Sequence, residues 1–278
     1  KRGILTAADL IWALAFSTVS VSIYAIFQKF ALGMDRTTSF FMSPNSVGLF
    51  LGPIVLLMLA EFKNKWVYYF LVPLSLVAIF FTKSQGAWIA LAVSGTLFAF
   101  LVGYRKVAII LAIGGIIFSL VIPSMREAIL FQDAAGQNRL RLWNYTTTFL
   151  TKSPKNFFLG AGVRQFFRKV QKPYYDKYVM ERLIYPHNFF LNFWTEIGLL
   201  GLLAVLIITE CLFGLAKKIK QIDKLWGASL IGGLSALLVH GLVDVPYFKN
   251  DLAFLFWIIA ALFFVSYANF YQSQTERV

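Results

Sequence analysis

The stretch NFFLNFWTEIGLLGLLAVLIITECLFGLA, residues 188–216, decides the fold class, because most of its side chains are apolar. A membrane-spanning helix needs about 20 largely apolar residues. The run is therefore predicted to cross a membrane as one helix. The 278-residue chain is 59% hydrophobic, above the roughly 45–50% of ordinary soluble domains, and its mean hydropathy is +0.69. We interpret it as an integral membrane protein.

Further apolar runs flank this stretch on both sides. The complete set of predicted spans is about 9–29, 45–60, 66–82, 86–102, 107–122, 188–216, 226–245 and 251–271. The predicted fold class is all-α, a polytopic membrane helix bundle of about eight spans with a large extracytoplasmic loop of amphipathic helices. The chain begins at Lys1 without an initiator methionine or a signal-peptide cleavage pattern, so we expect it to be part of a longer protein.

Short basic connectors set the predicted orientation. They are EFKNKW at 61–66, GYRK at 103–106 and KKIKQIDK at 217–224. Positive residues in short loops stay on the cytoplasmic side. An even number of spans then places both termini inside. The predicted regions are membrane spans in 1–122, an extracytoplasmic cap in 123–187 and further spans in 188–278.

The cap, residues 123–187, is basic and aromatic, unlike the runs around it. Aromatic pairs occur at 157–158, 166–167 and 174–175. The sequence RLRLWNYTTTFLT at 139–151 predicts a helix, which Pro154 and the GAG triplet at 160–162 then interrupt. We expect amphipathic helices that lie against the outer membrane surface. The alternative is a solvated loop that happens to be basic.

The motifs of several function classes are missing from the sequence. It has no Gly-x-x-x-x-Gly-Lys-Ser/Thr phosphate loop, no His-Glu-x-x-His and no Asp-x-Asp pair in a predicted outer loop. Catalysis is therefore expected to depend on cations and histidine, without a metal or a cofactor. Cys211 is the only cysteine, so no internal disulfide can form.

His187, one of two histidines, stands directly before the 188–216 run. An imidazole accepts a proton near neutral pH, so it suits a general base. Pro186 is a typical helix-start residue, and a helix beginning there would hold the ring at its N-terminus. Asn188 could orient the ring or bind substrate. The alternative is an interfacial histidine with no catalytic role.

Other predicted outer segments supply candidate substrate-binding groups. Arg139 and Arg141 carry guanidinium groups, which bind phosphate through paired hydrogen bonds. Lys83 and Gln85 lie in a very short hairpin between two spans, where polar groups face water or a site. The alternatives are ordinary surface arginines and a snorkelling lysine.

A last candidate group lies in SALLVHGLVDVPYFKN, residues 235–250. Asp244 follows His240 by four residues, which would place both on one face of a continuous helix. Ionisable residues within spans are candidates for function, so Asp244 is included, with Lys249 beyond it. For His240 the alternative is a hydrogen bond between helices.

Four segments together resemble the O-antigen ligase/polymerase family of membrane glycosyltransferases. They are DRTTSFFMSPNSVGLFL at 35–51, FTKSQGAWIAL at 81–91, NRLRLWNYTTTFLTKSPKNFFLGAG at 138–162 and YPHNFFLNFWTEIGLLGLL at 185–203. They are similar, in order, to four family landmarks. These are an Arg…Pro-Asn segment, a Thr-x-Ser-Arg-Gly hairpin, an Arg-x-x-x-Trp…Pro…Gly-x-Gly pattern and a His-Asn…Glu-x-Gly segment.

The hairpin departs from the family pattern at one position. The family has arginine where this chain has Gln85, and that arginine is thought to hold a lipid-linked pyrophosphate. Lys83 or the cap arginines would then supply the positive charge.

The resemblance implies an inverting, metal-independent transfer of an oligosaccharide or polysaccharide from a polyprenyl (undecaprenyl) diphosphate carrier. The acceptor is a glycan, lipid or protein on the outer side of the bacterial cytoplasmic membrane. Membrane lipid is the other implied partner, and nucleic acid is not one. His187 is the implied general base. The implied substrate-binding residues share a polar or charged side chain: Arg139, Arg141, Lys83, Gln85, Asn188, Asp244 and Lys249.

Two questions stay open at this level. Ligase, polymerase and protein-glycosylating enzymes of this kind differ only in the acceptor. A polytopic transporter or flippase of lipid-linked glycans is the alternative from another class. A transporter would place charges near the bilayer midplane and show inverted repeats, whereas the charges here gather at the predicted outer face.

Overall fold

The computed structural model describes residues 6–61, 66–175, 182–247 and 250–275, and every regular element in these ranges is helical. The α-helices are α1 (Ala7–Phe30), α2 (Pro44–Met58), α3 (Val72–Thr82), α4 (Gln85–Val102), α5 (Arg105–Val121), α6 (Pro123–Ile129), α7 (Ala134–Thr151), α8 (Pro154–Leu159), α9 (Lys172–Tyr175), α10 (Phe189–Ile197), α11 (Leu199–Ile222), α12 (Lys224–Gly241) and α13 (Asn250–Thr275). A 3-10 turn at Leu59–Glu61 and π-helical turns at Val67–Leu71 and Phe166–Gln171 adjoin them. The predicted all-α class is confirmed.

Four helices in the described ranges are long and apolar enough to cross a membrane. They are α1, α4, α11 and the Leu252–Asn269 part of α13. A fifth would be α5 taken together with the helical segment after it, across a bend of 100°. The apolar helices α2 and α3 are shorter. The protein is a multi-pass membrane protein, and the predicted number of about eight spans is not confirmed.

The predicted single helix over 188–216 is wrong at its N-terminal part. Gly198 adopts a left-handed backbone conformation, with φ +85°, and separates α10 from α11. A continuous helix requires negative φ at every residue, so the chain changes direction at this glycine. The apolar pattern does not record the break, because apolar residues continue on both sides of it.

The predicted span over 226–245 ends too late. Helix α12 ends at Gly241, and Pro246 follows five residues later. Proline cannot continue a helix without losing a backbone hydrogen bond. Asp244 therefore lies in the turn after α12, and its assignment to one helical face with His240 was wrong.

Side-chain caps begin several of the helices. Thr6 Oγ1 accepts a hydrogen bond from the Asp9 amide, and the Asp9 carboxylate accepts one from the Thr6 amide, a complete capping box for α1. Asp133 caps α7 by accepting from the Gly136 amide. Ser153 caps α8 in the same way. These caps satisfy amides that the first turn of a helix leaves without a partner.

Residue contacts divide the chain into two compact units. Unit 1 comprises residues 1–115, 212–240 and 246–278, and unit 2 comprises residues 116–211 and 241–245. One core of unit 1 lies between α1, α2, α3 and α4 and contains Val21, Ala25, Val47, Leu51, Ala78, Ile79 and Ala87. The division into two membrane regions around a cap remains a prediction.

Unit 2 has its own core around α7. It contains Leu142, Tyr145, Ala161, Phe166 and Val170. The Tyr145 and Tyr174 rings stack on one another, with centroids 4.0 Å apart. The described part of the cap thus folds as short helices packed on their apolar sides, as amphipathic helices do.

Candidate active site

His187 lies just outside α10 in a strained backbone conformation. Its φ of +52° is left-handed, which costs a residue other than glycine about 1–3 kcal/mol when the surroundings enforce it. The helix begins at Phe189, with Asn188 as its N-cap. Pro186 is therefore not the first helical residue, and the prediction of a helix start there was wrong. Strain of this kind persists only where neighbouring groups fix the chain.

The imidazole of His187 faces a buried carboxylate. Its Nδ1 lies 3.5 Å from Oδ1 of Asp244, an ion-pair distance somewhat longer than an ordinary hydrogen bond. The Asp244 side chain is 2% exposed and that of His187 is 20% exposed. The amide of Val245 donates a 2.8 Å hydrogen bond to Oδ1 of Asp244, which fixes the carboxylate. The carboxylate thus stands beside one imidazole nitrogen, although the Nδ1 atom makes no hydrogen bond in this structure.

Helix α7 contacts both chain segments that carry this pair. The Trp143 indole Nε1 donates to the Pro186 carbonyl at 3.0 Å, directly before His187. The Arg139 Nε donates to the Val243 carbonyl at 2.9 Å, directly before Asp244. Residues four apart on a helix project from the same side. One face of α7 thus binds both segments. The Nε of Arg139 holds the Asp244 segment in place, independently of what its Nη groups bind.

Arg141 does not share that face. It lies on the exposed side of α7, two residues from Arg139, and side chains at that spacing point in different directions. The two arginines therefore do not form one clamp on a single helical face, although both belong to unit 2.

Asn188 uses its side-chain amide for the structure of the turn. Its Oδ1 accepts from the Leu191 amide at 3.0 Å and its Nδ2 donates to the Leu242 carbonyl at 3.0 Å. The first bond caps α10 and the second joins its start to the segment that carries Asp244. The predicted orienting role suits this arrangement, whereas substrate binding by Asn188 would have to compete with both bonds.

A second loop of unit 2, at residues 160–164, packs against the break at Gly198. The Ala161 amide donates to the Thr195 carbonyl at 2.6 Å, and the Arg164 amide donates to Oε2 of Glu196 at 3.1 Å. The Trp194 indole also donates to the Phe157 carbonyl at 2.8 Å. Glu196 is thus a loop anchor on α10.

Replacing Gly198 with alanine is expected to lower the free energy of unfolding by about 2–4 kcal/mol. A Cβ atom at Gly198 would collide with the Phe158 carbonyl oxygen, and its φ of +85° disfavours any side chain. The measurement is the unfolding temperature in detergent. Gly214→Ala is the matched control, because a Cβ there meets nothing within 4 Å. Equal unfolding temperatures for the two variants would contradict the packing described at the break.

A hairpin of unit 1 carries the other predicted cation. Lys83 ends α3 in a left-handed conformation, with φ +51°, and its ammonium group binds the carboxylate of Asp35. That ammonium lowers the pKa of the Asp35 carboxyl, first by its hydrogen bond and then by its charge. Gln85 is the first residue of α4, after Ser84 as N-cap. The Lys83 charge is thus balanced by a partner that hydropathy does not reveal.

Arg36 is the cation that sequence reasoning left out of the site. Its Nε donates to the Thr82 carbonyl at 3.0 Å, and its Nη2 reaches the Asn45 side chain at 3.5 Å. These bonds fix the 35–51 landmark to the hairpin, and Nη1 takes part in neither. The available signal was the arginine of the landmark itself. Lys249, another predicted site residue, lies outside the described residues.

The structure thus supplies two separate groups of predicted residues. His187, Asn188, Asp244, Arg139 and Arg141 belong to unit 2, whereas Lys83 and Gln85 belong to unit 1. Within unit 2, the histidine, asparagine, aspartate and Arg139 come together through the contacts above. Among the described residues, no three or more His, Cys, Asp or Glu side chains are grouped to hold a metal ion.

Residues 70–206 match the model of one protein family, described as O-antigen ligase. This segment of the chain is similar to O-antigen ligases. The O-antigen ligase match includes the hairpin, α7 and His187, whereas Arg36 and Asp244 fall outside its limits. It supports an O-antigen ligase-like membrane glycosyltransferase that acts on a lipid-linked glycan and an acceptor. None of the curated proteins matches the chain.

Proposed function

We propose that the protein transfers an oligosaccharide or polysaccharide from a polyprenyl diphosphate, such as undecaprenyl diphosphate, to an acceptor hydroxyl. The reaction takes place on the outer side of the bacterial cytoplasmic membrane. The observation that carries this proposal is the pair of His187 and buried Asp244, 3.5 Å apart, within or beside the segment that is similar to O-antigen ligases. Such a pair is suited to proton abstraction from an acceptor.

His187 is the general base in the proposed reaction. Because Nδ1 faces Asp244, Nε2 is the nitrogen that takes the acceptor proton. The acceptor oxygen attacks the anomeric carbon as the bond from that carbon to the diphosphate oxygen breaks. The electron pair of that bond leaves with the polyprenyl diphosphate. Attack opposite the leaving group inverts the anomeric configuration.

The departing diphosphate gains negative charge, which fixed cations stabilise. In unit 2, Arg139 is the cation proposed for the diphosphate, through its Nη groups, and Arg141, on another side of α7, is proposed for a separate contact with the donor. Their guanidinium groups stay protonated at every working pH and offer planar donors to phosphate oxygens. In this proposal arginines, and not a divalent metal, supply the positive charge.

Among the cations of unit 1, Arg36 suits the binding of a donor phosphate better than Lys83 does. Asp35 forms an ion pair with Lys83, whereas Arg36 acts on Asp35 only through its charge and makes its hydrogen bonds to the uncharged oxygen atoms of Thr82 and Asn45. Arg36 would then replace the hairpin arginine that is absent at Gln85. Gln85 is retained as a neutral hydrogen-bonding group of the hairpin.

Arg36→Gln is expected to raise the KM for the lipid-linked donor about tenfold, because a charge-assisted contact to phosphate is lost. Lys83→Gln should change that KM less than about threefold, since its ammonium is already paired with Asp35. Both are measured with purified protein and a fixed acceptor concentration. A larger loss for Lys83→Gln than for Arg36→Gln would reverse the assignment.

The test of the proposed function is a transfer reaction in proteoliposomes with a defined polyprenyl-diphosphate glycan and candidate acceptors. Mass spectrometry of the product identifies the linkage and separates ligase, polymerase and protein-glycosylating activity. EDTA should leave the rate unchanged. Movement of intact donor between leaflets without any glycosidic bond formation would reject transfer and favour a flippase.

A further inference from the structure

We propose that Trp143 is a positioning residue that holds His187 in its left-handed conformation, directed at Asp244. The inference rests on the proposed function, in which His187 is the base. Its starting point is the 3.0 Å hydrogen bond from the indole nitrogen to the Pro186 carbonyl. That carbonyl belongs to the peptide group whose nitrogen is that of His187.

The backbone before His187 is fixed by two constraints. The ring of Pro186 restricts its own φ. The Trp143 hydrogen bond then fixes the direction of the Pro186 carbonyl, and with it the plane of the Pro186–His187 peptide group. The remaining freedom of the His187 backbone lies in its own φ and ψ.

The backbone after His187 is fixed as well. Asn188 caps α10 through the Leu191 amide and donates to the Leu242 carbonyl. With both flanking residues restrained, the φ of +52° at His187 cannot relax without breaking one of these bonds. Trp143 is the only one of these restraints that comes from α7, the helix that also holds the Asp244 segment through Arg139.

The indole is itself held in place. The Phe131 ring meets it edge to face with centroids 5.3 Å apart, and the Phe131 carbonyl accepts a hydrogen bond from the Gln137 side chain. An indole has one donor and no acceptor. To reach any acceptor other than the Pro186 carbonyl, the indole N–H would have to rotate with its ring, and that rotation would disturb the contact with Phe131.

The first experiment compares Trp143→Phe with Trp194→Phe. Each change removes one indole donor to a backbone carbonyl and keeps an aromatic ring, but Trp194 binds Phe157 and not the His187 segment. Trp143→Phe should lower kcat about 10- to 30-fold with the donor KM within about twofold. Trp194→Phe should leave kcat within about twofold at the same content of folded protein. Equal kcat for both variants would overturn the positioning role.

A double variant separates positioning from general stability. In the His187→Ala background, Trp143→Phe should reduce transfer no further, because residues that act as one unit give non-additive effects. A full additional 10-fold loss would mean that Trp143 acts independently of His187. If the parent protein itself transferred no glycan in these assays, the result would count against the proposed function and not against the role of Trp143.

A spectroscopic measurement tests the inference without any activity. The chain has two histidines, so imidazole ¹⁵N signals of selectively labelled protein can be assigned with the His187→Ala variant. Trp143→Phe should shift or broaden the His187 signals and leave those of His240 in place. Trp194→Phe should move neither set. Unchanged His187 signals in Trp143→Phe would refute the proposal even if transfer were never observed.

Discussion

His187→Ala is expected to lower kcat for glycan transfer by about 10³-fold, because the variant lacks the group proposed to take the acceptor proton. The donor KM should stay within about threefold, since the proposed diphosphate contacts are made by arginines. The measurement is transfer by purified protein in proteoliposomes, at equal amounts of folded parent and variant. The same comparison in cells without their own ligase or polymerase checks that the loss also holds in a membrane.

The matched control for this change is the second histidine. His240 is buried in unit 1, close to Gly48, and has no place in the proposed reaction. His240→Gln is expected to lower stability while the folded fraction keeps the parent kcat. If His187→Ala transferred glycan at the parent rate, His187 would be an interfacial residue and the proposed base would be wrong.

Asp244→Asn is expected to reduce kcat on the order of 10²-fold, a large part of the general-base contribution. The amide has the shape of the carboxylate and can still accept from the Val245 amide, so the turn should persist. It carries no charge to stabilise the imidazolium formed during transfer. The check is the kcat of the variant at saturating donor, together with its unfolding temperature.

Asp133→Asn is the control for this loss. Asp133 also accepts a backbone hydrogen bond in unit 2, at the start of α7, and asparagine caps a helix about as well as aspartate. Its kcat should equal that of the parent. If Asp244→Asn retained full kcat, the ion-pair distance to His187 would have no catalytic consequence, even with His187 essential.

The apolar helices could be predicted from the sequence. So could His187, Arg139 and Asp244 as candidate site residues. The pairing of His187 with Asp244 could not be predicted. That contact joins segments far apart in the chain, and the four-residue spacing from His240 indicated a different partner. The spacing misled because it assumes a continuous helix, whereas α12 ends at Gly241.

The role of Trp143 was hidden for a related reason. A tryptophan near the middle of an amphipathic helix is typical of packing, and no sequence pattern indicates which distant carbonyl an indole will bind. Gly198 was similarly hidden within an apolar run. The sequence feature that marks the break is the glycine two residues after Glu196. The contacts that require glutamate and glycine at these positions come from a distant part of the chain: the Arg164 amide donates to Glu196, and the Phe158 carbonyl leaves no room for a Cβ at Gly198.

In the proposed reaction, the left-handed backbone at His187 sets local conformational stability against activity at one position. Glycine adopts that conformation without strain, so a glycine at 187 would relieve the chain of a local conformational penalty and remove the proposed base. In a lineage released from selection for transfer, mutation at this position would tend to favour such a replacement. Histidine at 187 would then persist only while its chemistry is required, against the preference of the fold that presents it.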